Sequence, residues 1–126
     1  MANPSIVNAT AVGKEVIRRS YLNGAGASET TLIAGAAEHV YTIISIIICE
    51  MGSRSDGKFS LYVDVDNSGT NIYFADNLAL PSKGIFIWND RFAITATDKL
   101  HFLSSSASTP EYDVWCTYID QQFAAP

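Results

Sequence analysis

The sequence predicts an all-β domain, an antiparallel β-sandwich of jelly-roll type with eight or nine short strands, and three observations predict it. The first is Val40 to Met51, which holds five isoleucines, a valine and a tyrosine in twelve residues with no Gly or Pro. β-Branched and aromatic side chains fit a pleated, half-buried surface and lose rotamer freedom in a helix. The second is Lys58 to Asp66, where Phe59, Leu61, Val63 and Val65 alternate with Lys58, Ser60, Asp64 and Asp66, the pattern of a strand with one buried face. The third is the recurrence of Gly, Asn, Asp and Pro clusters every 8 to 12 residues or so, without an amphipathic helix between them.

Taken in order, residues 1–11 are small and polar and read as an arm. Val12 to Leu22, with Val12, Val16, Ile17, Tyr21 and Leu22, reads as a first strand, and Asn23 to Ser28 as a flexible Gly-rich loop. Thr30 to Ile33 is a short strand closed by Gly35 to Glu38. The central strand, Val40 to Met51, follows. Its two faces, Ile44, Ile46 and Ile48 on one side and Ile43, Ile47 and Cys49 on the other, are both apolar. One face is expected under the opposing sheet and the other under core or a neighbouring subunit. Gly52 to Gly57 is a turn in which Asp56-Gly57 is a hairpin signal. After Lys58–Asp66, the turn Asp66-Asn67-Ser68-Gly69 leads to a strand at Asn71–Ala75, and Leu78 to Gly84 connects to a short buried strand, Ile85–Trp88. Arg91–Thr95 and Lys99–Ser104 are expected to pair around Ala96-Thr97-Asp98. A Ser-rich loop, Ser104 to Pro110, precedes the last strand, Tyr112–Ile119. The domain description is therefore an arm and first strand over 1–29, the sandwich over 30–120 and a tail over 121–126.

Composition narrows the function classes. At 126 residues one domain can bury a core without staples. Charged residues are 17%, below the usual quarter, a neutral surface suited to an assembled subunit. The net charge of −5, with Arg18 and Arg19 the only adjacent basic pair, gives neither a nucleic-acid footprint nor a polybasic membrane patch. Val40–Met51 is too short to cross a bilayer, which takes about 20 apolar residues. The N-terminus has no basic and apolar leader pattern, so synthesis in a cytoplasm is expected. Cys49 and Cys116 fall in apolar strand patterns and read as buried free thiols, with a disulfide between neighbouring strands as the alternative in an oxidising compartment.

No chemistry gathers at a recognisable motif. Asp64-Val65-Asp66-Asn67-Ser68-Gly69 starts like a calcium loop, but the twelfth position is Ala75 rather than an acid, and a hairpin turn explains the same residues. Cys49, Cys116, His39 and His101 lack zinc-ligand spacing. No Gly-x-Ser-x-Gly elbow marks a nucleophile for either histidine, and both read as surface or strand-end residues. Glu111, Asp98, Asp113 and Asp120 are placed at strand ends or outward positions. No metal, no cofactor and no enzymatic activity are expected. Among the aromatics, Tyr62 stands out on the polar face of its strand, as a residue to contact a partner.

Ile85-Phe86-Ile87-Trp88, followed by Arg91 to Leu100 with its Asp98-Lys99-Leu100 ending, resembles small β-sandwich virion proteins of tailed bacteriophages. In these a strand like Phe59–Asp64 leads to a Leu-Pro connection, here Leu80-Pro81. Two apolar strands, a Ser-rich turn and a final aromatic strand then close the domain. The resemblance spans about residues 30–120, and its motifs are structural. It implies a virion component: a capsid decoration (cement) protein that binds the finished shell, often as a trimer, or else a tail, neck or baseplate component with a receptor- or glycan-binding surface. The partners implied are the major capsid protein, or tail and neck proteins, and further copies of the chain. Ile6 and Val7 of the arm, which could add a strand to a capsid edge, Val12 at the start of the first strand, and Tyr62 are the residues expected to bind them.

Overall fold

The computed structural model describes residues 15–53, 56–104 and 112–123. Among them run nine strands and no helix: β1 (Glu15–Ala25), β2 (Thr30–Ala34), β3 (His39–Glu50), β4 (Lys58–Val65), β5 (Thr70–Ala79), β6 (Ile85–Trp88), β7 (Phe92–Ile94), β8 (Lys99–Ser104) and β9 (Tyr112–Gln122). One sheet has the order β1-β9-β3-β6, with β7 also on β3, and the other has the order β2-β8-β4-β5. Every pairing is antiparallel. β6 and β7 lie along the same side of β3, so they act as one interrupted strand. Counted that way, only the β4–β5 connection stays within a sheet and every other one crosses the sandwich. This is the jelly-roll arrangement expected from the sequence.

The core fills the space between the sheets. Ile43, Ile46 and Ile48 of β3 and Val114 and Cys116 of β9 face Phe59 and Leu61 of β4 and Leu100 and Phe102 of β8. Phe59 stacks on Phe102 with ring centroids 5.9 Å apart and meets the edge of Phe86 from the other sheet at 5.1 Å. Toward the β5 side, Phe74 reaches across to Trp88 and Phe92 at 5.3 and 4.4 Å. Each fully buried side chain of this kind contributes about 1.5–3 kcal/mol.

β3 departs from simple alternation. Its register with β9 shifts between Ile43 and Ser45, so Ile44 is an extra residue opposite the Tyr118–Thr117 step. A bulge changes the phase of a strand. Ile43, Ile46, Ile48 and Glu50 therefore all point into the core, while Thr42, Ser45, Ile47 and Cys49 share the outer face. The grouping of Ile44 with Ile46 and Ile48 is corrected accordingly. The gap between β6 and β7 falls opposite this same bulge.

Other expectations are corrected by pairing. Asp56-Gly57 does not close a hairpin, because β3 and β4 belong to opposite sheets. Arg91–Thr95 and Lys99–Ser104 do not pair either: β7 lies on β3, and β8 lies between β2 and β4. β1 continues through Asn23 and Gly24 to Ala25, using a register shift and positive φ at Gly24. β5 continues to Ala79 through a bulge where Asn77 takes positive φ and its amide donates to the Ser60 hydroxyl at 3.0 Å. That bond accounts for the burial of Ser60. β6 alternates rather than being buried, with Ile85 and Ile87 outward.

The hairpin at Asp64–Gly69 is tied by its own carboxylates. Asp64 Oδ1 accepts from the Gly69 amide at 2.8 Å, and Asp66 Oδ1 accepts from the Thr97 hydroxyl at 3.0 Å. Asp98 joins this turn to the next one, accepting from the amides of Asp66 and Thr95 at 2.9 and 3.1 Å. The residues that looked like a calcium loop thus serve as acceptors within two linked turns.

Candidate functional site

The outer face of the five-stranded sheet carries the feature that the fold does not use. Register pairs Tyr21 on β1 with Trp115 on β9, Trp115 with Ile47 on β3, and Ile47 with Ile87 on β6. The four side chains form one row across the sheet, perpendicular to the strands. Ile17 and Ile85 extend the row to either side, and all six residues are 41 to 64% exposed. Tyr21 and Trp115 stack with centroids 5.9 Å apart and planes 18° apart. The Arg19 guanidinium lies 5.2 Å from each of these two rings, over their negative faces. A shallow pocket beside the row is lined by Tyr21, Ile47, Cys49, Asp113 and Trp115. Cys49 and Cys116 are both free thiols; Cys116 is buried in the core and Cys49 is half-buried at this outer face.

Together the six residues leave on the order of 600 Å² of largely apolar surface open. That equals or exceeds the largest patch on a typical soluble monomer and approaches the ~800 Å² that one side of a specific interface hides. β3 is placed in the middle of its sheet by its pairing with β9 on one side and β6 and β7 on the other, so its second apolar face ends up here. The sequence expectation that this face meets core or a subunit resolves to a face that no strand among the described residues covers.

Two polar clusters lie elsewhere. At one end of the sandwich Asp120 is buried between Arg18, 2.8 Å from its Oδ2, and His39, whose Nδ1 lies 2.5 Å from its Oδ1. These residues come from β1, β9 and β3, so the cluster clips three neighbouring strands together. Asp120 lies near the end of β9, as a strand-end reading has it, but it is buried rather than outward, and an inward carboxylate is tolerated where a guanidinium and an imidazole satisfy it. Tyr41 and Tyr118 pack edge to face beside it at 5.2 Å. Burial raises both phenol pKa values, and the Asp120 charge adds to the rise while Arg18 opposes it.

The second cluster covers the outer face of the other sheet. Tyr62 is only 3% exposed: it packs against Tyr73 and His101 at 4.9 and 5.5 Å, and its hydroxyl donates to Glu29. Burial and this bond to a carboxylate push its pKa up. His101 is buried, with Nδ1 3.1 Å from the Thr31 hydroxyl and Nε2 3.6 Å from Glu29. Tyr62 is therefore not the open anchor that strand alternation suggested, and His101 is not a surface residue. A partner would reach Tyr62 only where Glu29 and Tyr73 move aside. Ile6, Val7, Val12 and Glu111 lie outside the described residues. Among the described residues no group of three or more His, Cys, Asp or Glu is placed to hold a metal ion, and no helix is long and apolar enough to cross a membrane.

Sequence reasoning missed Tyr21, Trp115, Ile85 and Ile87 as surface residues. The signal was present in Ile47 and Cys49, which gave a central strand a second apolar face with no strand left over to cover it.

No family model and no curated protein matches the chain. Solved structures with a similar arrangement include a protein of the disulfide-linked pili of Bacillus endospore appendages, 15% identical, with a TM-score of 0.49 over 98% of this chain and 100% of that one. A pentameric capsid protein from metagenomic phage sequences is 15% identical, with a TM-score of 0.43 over 97% and 69% of the two chains. The Drosophila NLP core, described with pentamer formation and histone binding, is 11% identical, with a TM-score of 0.47 over 88% and 100%. Likenesses this distant leave the function to the chain's own residues.

Proposed function

We propose that the chain is a structural subunit of a phage particle, a capsid decoration protein that binds and stabilises the assembled shell. The observation that carries the reading is the uncovered apolar row Tyr21-Trp115-Ile47-Ile87 on a small, acidic sandwich. A surface of that size costs solubility unless an assembly hides it. The setting is supplied by the resemblance of residues 30–120 to small virion sandwiches, and jelly rolls recur in capsid proteins. A subunit that binds only the completed shell stabilises it by its own binding free energy. In this reading the arm, through Ile6 and Val7 and continuing into Val12 of the first strand, adds a strand to a capsid edge, where main-chain hydrogen bonds give affinity.

The deciding measurement is the number of copies per purified particle. Hundreds of copies fit shell decoration, whereas a handful to about a dozen fit the symmetric rings of a tail, neck or baseplate. Deleting residues 1–11 should abolish occupancy of the shell; full occupancy by the shortened chain would remove the arm from the mechanism.

A second reading, a receptor- or glycan-binding module at a tail, is favoured by one specific observation. The stacked, partly exposed Tyr21 and Trp115 rings with the Arg19 guanidinium over them join aromatic surface to hydrogen-bond donors, the two features a sugar ring is recognised by. Specific glycan-array signals that disappear in Trp115→Ala would select it.

A further inference from the structure

We infer that the outer face of the five-stranded sheet pairs with the same face of a second copy, about a two-fold axis that runs parallel to the strands between β9 and β3. The inference rests on the reading of this chain as an assembly subunit and names the occupant of its exposed face. Three features of the face point to a copy of itself.

The first is area. The open apolar surface, on the order of 600 Å² before flanking polar atoms are counted, matches one side of a stable protein interface and exceeds what a small ligand needs. The second is the order of side chains along the row. Aromatics occupy the β1 half, Tyr21 and Trp115, and aliphatics the β6 half, Ile47 and Ile87. A two-fold axis parallel to the strands lays Tyr21 over the partner's Ile87 and Trp115 over the partner's Ile47. Each contact then joins one large and one medium side chain, which keeps two aligned sheets evenly spaced at about 10 Å. The alternative axis, along the row, stacks Trp on Trp and Ile on Ile and forces the sheets to diverge.

The third feature is charge. The chain carries −5 overall, yet the row itself holds no carboxylate; Asp113, in the pocket beside it, accepts from the Gly24 amide at 3.0 Å, and the charge that lies over the rings is that of Arg19. Arg19 lies level with Thr117, which pairs with Ser45 of β3. Since Ile46 of β3 pairs with Trp88, this level passes just beyond the end of β6, at Asn89 and Asp90, both exposed. The same two-fold axis therefore carries Arg19 to the end of the partner's β6, level with the partner's Asn89 and one residue from the partner's Asp90, and so brings an opposite-charge pair within reach twice in the dimer. An isologous interface needs this kind of self-complementarity, in which one end of a patch fits the other.

The test uses the purified full-length chain, without particles, so that its outcome is independent of where the protein sits in a virion. Light scattering after size exclusion should give twice the chain mass at micromolar concentration. Ile47→Asp, at a position outside the core, should give a single-chain mass with an unchanged far-ultraviolet spectrum. Arg19→Glu and Asp90→Arg should each weaken the dimer about tenfold, and the two together should recover most of the loss. A single-chain mass at all concentrations, the result if residues 1–14 of the same chain covered the face, would overturn the inference. So would a trimer or pentamer, or a dimer indifferent to Ile47→Asp. A dimer that loses affinity in both single charge variants but is not rescued by the pair would overturn the two-fold geometry. Finding few copies per particle would sink shell decoration and leave the dimer standing.

Discussion

At the scale of the residue, burial sets the chemistry. Cys116 packs in the core between the sheets, and burial raises its thiol pKa from 9.0 to about 12. The unfolded chain therefore ionises this thiol first as pH rises, so the folded state keeps its advantage below about pH 9 and loses it progressively toward pH 12. Tyr41, Tyr62 and Tyr118, all shifted upward from 10.0, act in the same direction, with their loss beginning above about pH 10. Thermal unfolding scans should thus show a flat midpoint from pH 7 to about 9 and a falling one above, with Cys116→Val flattening the first part of the decline. At pH 8 native Cys116 should resist alkylation and react fully in denaturant; rapid native labelling would contradict its burial. Gly35 shows the same control by packing. A Cβ there would stand 2.0 Å from the Thr95 carbonyl oxygen, and the Gly35 amide already donates to Asp98 at 2.8 Å. Gly35→Ala must shift backbone rather than a flexible side chain, and should cost about 3 kcal/mol in denaturant unfolding.

At the scale of the element, existence was readable in the sequence and partnership was not. The alternation of Phe59, Leu61 and Val63 put a strand where β4 lies, and Asp66 to Gly69 marked a true hairpin. Turn residues elsewhere could not reveal that a connection crosses the sandwich, because the same Gly and Asp chemistry serves both kinds of turn. That is why the turn at Ala96-Thr97-Asp98 suggests a hairpin of β7 with β8, two strands that the fold places in opposite sheets. The Ile44 bulge was hidden for a different reason. In Ile43-Ile44-Ser45-Ile46-Ile47-Ile48 only Ser45 is polar, and it shares a face with Ile47 and Cys49 with or without the bulge, so it does not report the change of phase. The outer apolar face was legible in Ile47 and Cys49, whereas its aromatic half depended on β9 lying between β1 and β3. Mutagenesis can read the phase directly. Ile43→Ala and Ile46→Ala, both at fully buried positions on the core face, should each cost about 2–5 kcal/mol. Ile44→Ala and Ile47→Ala should each cost less than about 1.5 kcal/mol, since both sites retain solvent access. Large losses at 44, 46 and 48 with a small one at 43 would restore simple alternation and remove the bulge.

At the scale of the whole molecule, the strand made last holds together the strands made first. β9 pairs with β1 from Glu15 opposite Gln121 to Ala25 opposite Tyr112, and with β3 from His39 opposite Gln122 to Glu50 opposite Tyr112. Among the described residues β1 has no other neighbour in its sheet, so without β9 it loses its ladder and β3 gains an open edge. The core would also lose Tyr112, Val114 and Cys116, and the Asp120 clip would release Arg18 and His39. Losing one central strand therefore removes two ladders, part of the core and an ion cluster together, more than a domain with a typical 5–15 kcal/mol of stability can absorb. A chain ending before Tyr112 should show no cooperative thermal transition and should bind a hydrophobic dye. Because the decisive pairings are between the first and last strands, the full chain should refold in milliseconds to seconds rather than microseconds, after closing its longest loop. The most telling arm adds a peptide of residues 112–126 to the truncated chain. Recovery of a sharp transition would show that the missing ladder alone was at fault. A truncated chain that melts cooperatively on its own would mean that the remaining strands close the sandwich without β9.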